Sequence, residues 1–241
     1  MNSQMHRLEE SIADKIKNYQ KHLNNLELND EHVDRWISQF PEDERIVVLT
    51  ETDSLLAHNY IRKKSIKRFF DEIWSARDII GTGSILEINK IQFLNIQREG
   101  NSQNRLVSLL EKYYLKKKGI MINRNNHSCT QKYIYLDDCM FTGFRLLKDI
   151  DYWLENLNPN SGTQLDIIFI GMYNRNFDYV NEKVKKKCSE KSISINFYWM
   201  YSYNNDLKNT LPCDVLWPQY VNDEHVNNYM QEMEQQKRDS G

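Results

Sequence analysis

Two adjacent carboxylates, Asp137 and Asp138, end the apolar run 133–136 and are followed by a Thr-Gly turn. The turn residues, Thr142 and Gly143, stand at the start of a segment whose apolar residues have helical spacing. An anion at a helix start meets backbone N–H groups without helical partners, together with the positive end of the helix dipole. Because Gly143 has no Cβ, its backbone can approach such an anion closely. This order of residue types indicates a pocket for a phosphate group beside two acidic side chains.

The two carboxylates would repel a bare phosphate, so they require another partner. The 2′- and 3′-hydroxyls of a ribose meet this requirement, because they donate to carboxylates while the 5′-phosphate lies in the turn. Each such charge-assisted hydrogen bond contributes about 1.5–3 kcal/mol. A magnesium ion shared by the hydroxyls and a pyrophosphate also reduces the repulsion, with Asp137 and Asp138 as its expected ligands. In the other interpretation the acidic pair only caps the turn and binds nothing.

The stretch 135–145 resembles the phosphoribosyl pyrophosphate (PRPP) motif of type I phosphoribosyltransferases. The resemblance covers an apolar strand, two acidic residues, two apolar residues and Thr-Gly. It implies an α/β fold, PRPP or a related nucleotide as ligand, and Mg²⁺ as cofactor. It also implies that Asp137 and Asp138 are the catalytic pair on the ribose. The residues implied at the 5′-phosphate are Thr142, Gly143, Phe144 and Arg145.

The motif departs from the family pattern at two positions. Phe141 stands where the family commonly has Ser or Thr, and Arg145 stands where it commonly has Thr. These departures remove up to two hydroxyls that would bind phosphate. Arg145 either offers a guanidinium fork that suits phosphate or lies in solvent as a first-turn helix residue.

A second candidate element precedes the motif. The apolar run 91–96 leads into a loop with Arg98, Gly100, Asn101 and Ser102, and a helix-like segment follows. By the family resemblance this loop faces the pyrophosphate. Gly100 would free the backbone, Arg98 would neutralise charge and Ser102 would cap the next helix. An ordinary turn between a strand and a helix would have the same composition.

The elements that must position these residues are visible in the apolar pattern. The first 80 residues are predicted to be helical, because apolar residues recur every three or four positions. After that, short apolar runs alternate with helix-length segments, which predicts a mostly parallel sheet with helices on both faces. The predicted strands cover residues 91–96, 132–136, 165–172, 193–200 and 215–217. We expect a helical extension (1–80) packed on the core, an α/β domain (81–223) and a polar tail (224–241).

Composition narrows the classes of function. The chain has 241 residues, with 32 basic and 34 acidic side chains and a net charge of -2. Without a basic excess there is no general electrostatic reason to expect nucleic acid. No apolar stretch approaches the roughly 18 residues of a membrane span, no signal peptide is indicated, and the cysteines lack metal-site spacing. We expect a cytoplasmic protein that does not enter a membrane.

Several functions fit these observations. The helical front and the diverged motif look like the phosphoribosyltransferase-like domains of bacterial conflict and phage-defence systems. The leading hypothesis is binding of a ribose 5-phosphate or PRPP-type nucleotide, with transfer or hydrolysis at C1 of the ribose. The alternative is an inactive defence module that senses a nucleotide or contacts a protein. In a third hypothesis the N-terminal helices dock a protein partner and the sheet is only a scaffold.

Overall fold

The computed structural model describes residues 2–19, 27–124 and 129–204, and also residues 224, 227, 228 and 231. The predicted extended piece at 215–217 and most of the predicted tail from residue 224 lie outside these residues. By its internal contacts the chain forms two compact units, Met1–Ile66 and Lys67–Gly241. The division into three regions at residues 80 and 223 stays a prediction. None of the helices in the described part of the chain has the length and apolar character to cross a bilayer.

The first unit is helical, as predicted. It contains α1 (Asn2–Ile16), α2 (Asp30–Ile37) and α3 (Arg45–Asn59). The side chain of Asn29 caps α2 by accepting a hydrogen bond from the His32 N–H at 3.0 Å. The three helices bury a common apolar cluster, whose members are Ile12, Ala13, Val33, Ile37 and Leu49.

The second unit contains a four-stranded sheet, all parallel, in the order β1-β2-β3-β4 with flanking helices. The predicted α/β fold is therefore confirmed. Helix α4 (Lys63–Ser75) crosses the boundary between the units and is followed by α5 (Arg77–Ile80) and α6 (Ile85–Ile88). Up to residue 204, the remaining elements of the described chain are β1 (Ile91–Phe93), α7 (Ser102–Lys118), β2 (Lys132–Met140), α8 (Phe144–Asn156), β3 (Gln164–Tyr173), a 3₁₀ helix (Asn174–Asn176), α9 (Phe177–Ser189) and β4 (Ser194–Tyr203).

The ends of β1, β2 and β4 differ from the prediction, and β4 continues to Tyr203 instead of ending at residue 200. Strand β2 continues through the acidic pair to Met140, because its pairing with β3 resumes at Cys139 and Met140 after Asp137. Strand β1 ends at Phe93 and not at Ile96. Beyond it the chain leaves the ladder, since the Ile96 N–H donates to the side chain of Gln103 at 2.8 Å. The acidic pair thus belongs to a strand, and the loop after β1 is longer than predicted.

The direction in which the chain crosses the sheet reverses at β1. The Phe93 N–H donates to the Asn123 carbonyl and the Leu94 N–H donates to the Ile134 carbonyl, both at 2.8 Å. Successive N–H groups of a strand point to opposite edges, so Asn123, which forms a parallel bridge with Gln92, lies on the edge away from β2. The chain passes from β1 through α7 to this outer edge and then returns across β1 to β2. Parallel sheets bind ligands at such reversals, outside the carboxyl ends of the strands.

Gly143 joins β2 to α8 in a conformation that excludes side chains. Its φ of 78° and ψ of -5° lie in the left-handed region. An ideal Cβ at this position would lie 2.2 Å from Cγ2 of Val180 in α9, far inside van der Waals contact. Glycine is therefore needed both for the turn and for the close approach of α8 and α9.

We expect Gly143→Ala to lower the free energy of unfolding by about 2–5 kcal/mol, because left-handed strain contributes about 1–2 kcal/mol and overpacking about 1–3 kcal/mol. Gly119→Ala is the matched control, since Gly119 has a φ of 70° but no atom within 4 Å of an added Cβ. It should lose only the strain part. In a double-mutant cycle measured by urea unfolding, Val180→Ala should recover the packing part. Equal costs for the two glycine variants would contradict this explanation.

Candidate functional site

A cleft of about 880 Å³ opens at the carboxyl ends of β1 and β2. Its walls are the loop after β1, the end of β2 with the turn that follows it, and one face of α8. Most of the predicted site residues line it, namely Arg98, Ser102, Asp137, Asp138, Thr142, Gly143, Phe144 and Arg145. Gly100 and Asn101 lie in the loop but are not part of the lining. The structure therefore brings the two predicted elements together around one space.

Asp137 is held by donors from two sides. Its side chain is buried, and its Oδ1 accepts hydrogen bonds from the Ser102 hydroxyl at 2.8 Å and from the Asp138 N–H at 2.9 Å. Its Oδ2 lies 3.4 Å from the phenol oxygen of Tyr135. The prediction that Ser102 caps the next helix is wrong. Asn101 occupies the cap position, and the Ser102 hydroxyl is directed to Asp137.

Tyr135 connects Asp137 to a second buried carboxylate. The Tyr135 phenol lies 3.0 Å from Oδ2 of Asp149 in α8, closer than to Asp137. A phenol has a single hydrogen, so it donates to one of the two carboxylates at a time. Asp149 also accepts a hydrogen bond from the backbone of Arg98. The network thus runs from the acidic pair to α8 and back to the loop after β1.

Burial sets the charge state of this network. It raises the pKa of Asp137 to about 6, although the hydrogen bonds from Ser102 and the Asp138 N–H act in the opposite direction. Burial likewise raises the pKa of Asp149. The pKa of Tyr135 is raised well above its usual value, first by burial and then by the two carboxylates. Tyr135 therefore stays a donor, while Asp137 exchanges between acid and carboxylate near pH 6.

Asp138 has the opposite environment. It is exposed at the cleft, and its Oδ1 accepts the Cys139 N–H at 2.8 Å. Burial raises the pKa of the Cys139 thiol to about 12, so this neighbour is not a thiolate at neutral pH. In the described ranges, no group of three or more His, Cys, Asp or Glu side chains is arranged to hold a metal by itself. Two adjacent carboxylates do fit Mg²⁺, which is usually held by one or two carboxylates plus phosphates of the ligand.

The loop after β1 is fixed by two glutamines. Gln103 Oε1 accepts the Gln97 N–H at 3.0 Å, and the Gln103 N–H donates to Gln97 Oε1 at 3.1 Å. The Gln97 amide also donates to the Ser102 hydroxyl at 3.1 Å. Because Ser102 in turn donates to Asp137, the loop is tied to the acidic pair by side-chain bonds as well as by the chain.

Two arginines lie on facing walls of the cleft. The guanidinium of Arg98, from the loop, lies 4.8 Å from the ring centre of Tyr152 in α8. The guanidinium of Arg145 lies against Gly100, where an ideal Cβ would be 2.9 Å from its Nη1. Gly100, at a φ of +87°, thus leaves room for this side chain. Both arginines are exposed and line the cleft, so they are available to an anionic ligand.

The turn after β2 presents donors to the same space. Thr142 is exposed, and its hydroxyl oxygen accepts the Phe144 N–H at 3.4 Å, a long and weak bond. The first N–H groups of a helix have no partner within the helix. The turn therefore offers backbone N–H groups, one hydroxyl and the positive end of the α8 dipole to an anion.

Sequence reasoning missed Tyr135, Asp149 and Tyr152. A signal was present for the first two. Tyr135 precedes Asp137 by two positions and must share its strand face. Asp149 is a charged residue beside Ile150 in the apolar stripe of α8, where an unpaired carboxylate would be costly. Their mutual contact depends on how α8 packs on the sheet, which the spacing alone does not reveal.

Comparison with known proteins gave a family-model match. The family model named PRTase-CE matches residues 33–240. The matched range includes the loop after β1, the acidic pair and the turn. Neither the curated proteins nor the solved structures contain a match to the chain.

We expect Asp137→Asn to flatten the pH dependence of stability. The pKa of Asp137 is raised from 3.8 to about 6, so between these values the folded protein binds more protons than the unfolded chain. The free energy of unfolding therefore falls as the pH rises from about 4 to about 6, by up to about 3 kcal/mol for this group. Asparagine keeps an acceptor for Ser102 and Asp138 but does not titrate. Asp149 contributes a slope of the same sign that remains in the variant.

The measurement is urea unfolding from pH 4 to 7 on the ligand-free protein. Asp71→Asn is the control, because the hydrogen bond from Lys117 lowers the pKa of Asp71, so this group affects the slope only at the acid end of the range and with the opposite sign. Above about pH 5 that variant should lose stability without a change of slope. Parallel pH curves for the parent and Asp137→Asn would show that Asp137 is not the titrating group.

Proposed function

Because the chain belongs to the PRTase-CE family of phosphoribosyltransferase-like proteins, we propose that its cleft binds the ribose 5-phosphate part of a PRPP-type nucleotide. The observation that carries this proposal is the position of the acidic pair and the Thr-Gly turn in one cleft, with the loop after β1 as the facing wall. A ribose 5-phosphate needs acceptors at one end and donors at the other. The cleft offers both.

The two aspartates have different parts in the proposed site. Asp138 is exposed and accepts hydrogen bonds from the ribose 2′- and 3′-hydroxyls. Asp137 accepts hydrogen bonds from the Asp138 N–H and the Ser102 hydroxyl, so it orients Asp138. Its own carboxylate is the second, buried acceptor of the acidic pair. At neutral pH Asp137 is a carboxylate, because its raised pKa is still about 6.

The phosphate end of the site consists of the turn and the first residues of α8. Backbone N–H groups around Gly143, the Thr142 hydroxyl and the helix dipole bind the 5′-phosphate. Arg145 replaces a hydroxyl of the usual motif with a charged fork, and it lines the same cleft. Phe141 stands where the usual motif has a second hydroxyl, and its side chain offers no polar atom to the phosphate.

The proposed reaction is substitution at C1 of the ribose. The bond from C1 to the pyrophosphate oxygen breaks, and a bond forms from C1 to a ring nitrogen of a base or to the oxygen of water. Positive charge develops on C1 and the ring oxygen, and the acidic pair lies on the ribose side to stabilise it. Arg98 faces the departing pyrophosphate. Bound Mg²⁺ would neutralise pyrophosphate oxygens, with Asp138 and Asp137 as its protein ligands.

A second candidate function keeps the pocket without the reaction. Phe141 removes a phosphate-binding hydroxyl and presents an exposed ring at the cleft. This change favours a module that senses a nucleotide or contacts a protein partner through the N-terminal helices. For both candidates we propose a role in bacterial antiviral defence in the cytoplasm. This proposal rests on the resemblance of the N-terminal helical region and the diverged motif to the phosphoribosyltransferase-like domains of phage-defence systems.

Isothermal titration with PRPP tests the binding site. We expect the parent to bind PRPP only with Mg²⁺, and Asp137→Asn/Asp138→Asn to bind at least tenfold more weakly, since each lost charge-assisted hydrogen bond costs about 1.5–3 kcal/mol. Asp151→Asn is the control. This carboxylate also lines the cleft, but it lies on α8 and pairs with Lys187. It should leave the affinity within about twofold, on the scale of an exposed pair.

The same samples test turnover. Release of pyrophosphate from PRPP, with water or with a series of bases, identifies a transferase or hydrolase. Binding without release in every case supports the sensing module. Equal affinities for the parent and the double variant, or no binding by the parent, would contradict the ligand assignment.

A further inference from the structure

Three aromatic rings stand side by side at the carboxyl ends of β2, β3 and β4. Tyr173 and Tyr203 are direct partners in the β3–β4 register, with ring centres 5.4 Å apart. Phe141 follows Met140, the register partner of Met172, and therefore stands beside Tyr173. The rings of Phe141 and Tyr173 are 5.0 Å apart and inclined by 27°, a stacked arrangement. Phe141 is the end of this three-ring stack on the β2 side.

Gly171 makes room for the stack. It lies two positions before Tyr173 and so on the same side of β3. An ideal Cβ there would lie 3.0 Å from Cε2 of Tyr203 and 3.4 Å from the sulfur of Cys139. The absence of a side chain at Gly171 lets the Tyr203 ring lean over β3 toward Tyr173.

The ring series meets the cleft at Phe141. Phe141 lines the cleft, whereas Tyr173 and Tyr203 do not. The Phe141 side chain is 60% exposed even though its ring is stacked on Tyr173. Burial of a complete large apolar side chain contributes about 1.5–3 kcal/mol, so a ligand that covers this ring would gain part of that stabilisation.

A second exposed phenylalanine of the cleft has a different environment. Phe144 is 61% exposed and also lines the cleft, but the ammonium of Lys148 lies 4.6 Å from its ring centre. That distance is typical of a cation–π contact. Phe144 is thus associated with a cation, and Phe141 with rings.

We infer that Phe141 is a stacking site for the planar heterocycle of the ligand, a nucleobase, which continues the ring series of Tyr203 and Tyr173. This inference rests on the proposed function and names the class of compound that the site selects. Phe141 lies between the acidic pair and Thr142 along the chain, and its ring lines the same cleft as the proposed ribose and phosphate contacts, so it is placed to stack on the base of the same nucleotide. Phe141, which stands where the usual motif has a phosphate-binding hydroxyl, thus contacts the base and not the phosphate.

The test compares ribose 5-phosphate with AMP, GMP, CMP and UMP by isothermal titration. We expect at least one nucleotide to bind the parent more tightly than ribose 5-phosphate. Phe141→Ala should weaken that nucleotide about 5–150-fold, the equivalent of about 1–3 kcal/mol for base stacking, and leave ribose 5-phosphate within twofold. Phe141→Trp should retain nucleotide affinity and Phe141→Leu should lose most of it. Tyr179→Ala is the control, because Tyr179 is 58% exposed but does not line the cleft, and it should change neither ligand by more than about twofold.

Proton NMR of the nucleotide gives an independent readout. Base protons should shift upfield in the complex with the parent and not in the complex with Phe141→Leu, because only an aromatic ring produces this shift. The inference is overturned if the parent binds ribose 5-phosphate and the nucleotides equally, or if Phe141→Ala weakens both to the same extent. Failure of the proposed function has a different signature, in which ribose 5-phosphate does not bind the parent at all.

Discussion

The arrangement of the cleft depends on the buried carboxylate of Asp137. A carboxylate without water is costly unless donors surround it, and here the donors come from separate parts of the chain. They are the Ser102 hydroxyl of α7, the Asp138 N–H of β2 and the Tyr135 phenol, which is shared with Asp149 of α8. Each donor that satisfies Asp137 also positions a wall of the cleft. A single electrostatic requirement therefore fixes the loop, the strand end and the helix relative to one another.

The topology of the sheet brings the loop after β1 and the turn after β2 close together. Because the chain reverses its direction across the sheet at β1, both segments follow the carboxyl ends of neighbouring strands. Gly143 then lets α8 begin at once and approach α9 at Val180. The reversal, the turn and the buried acid together create a space with acceptors at one end and donors at the other. That distribution is the reason for proposing a sugar phosphate and not a simple anion as the ligand, because the two aspartates and the turn then have separate partners.

Local spacing was sufficient to predict the α/β fold, the helical first unit and the position of the acidic pair at the end of a strand, because these depend on periodicity and on neighbouring residues. It was not sufficient where partners are distant in the chain. The continuation of β2 past the acidic pair depends on pairing with β3, and the role of Ser102 depends on where α7 begins relative to Asp137. The stack of Phe141 on Tyr173 depends on the register of separate strands. From the sequence, Phe141 was therefore recognised only as a departure from the motif that lacks a hydroxyl.

A crystal structure of the protein with ribose 5-phosphate and MgCl₂ tests the central claim most directly. We expect the ribose hydroxyls within hydrogen-bond distance of the Asp138 carboxylate, with Asp137 still bonded to Ser102, and the phosphate on the backbone N–H groups from Thr142 to Arg145. A phosphate bound elsewhere in the cleft, for example between Arg98 and Lys148 with the turn unoccupied, would contradict it.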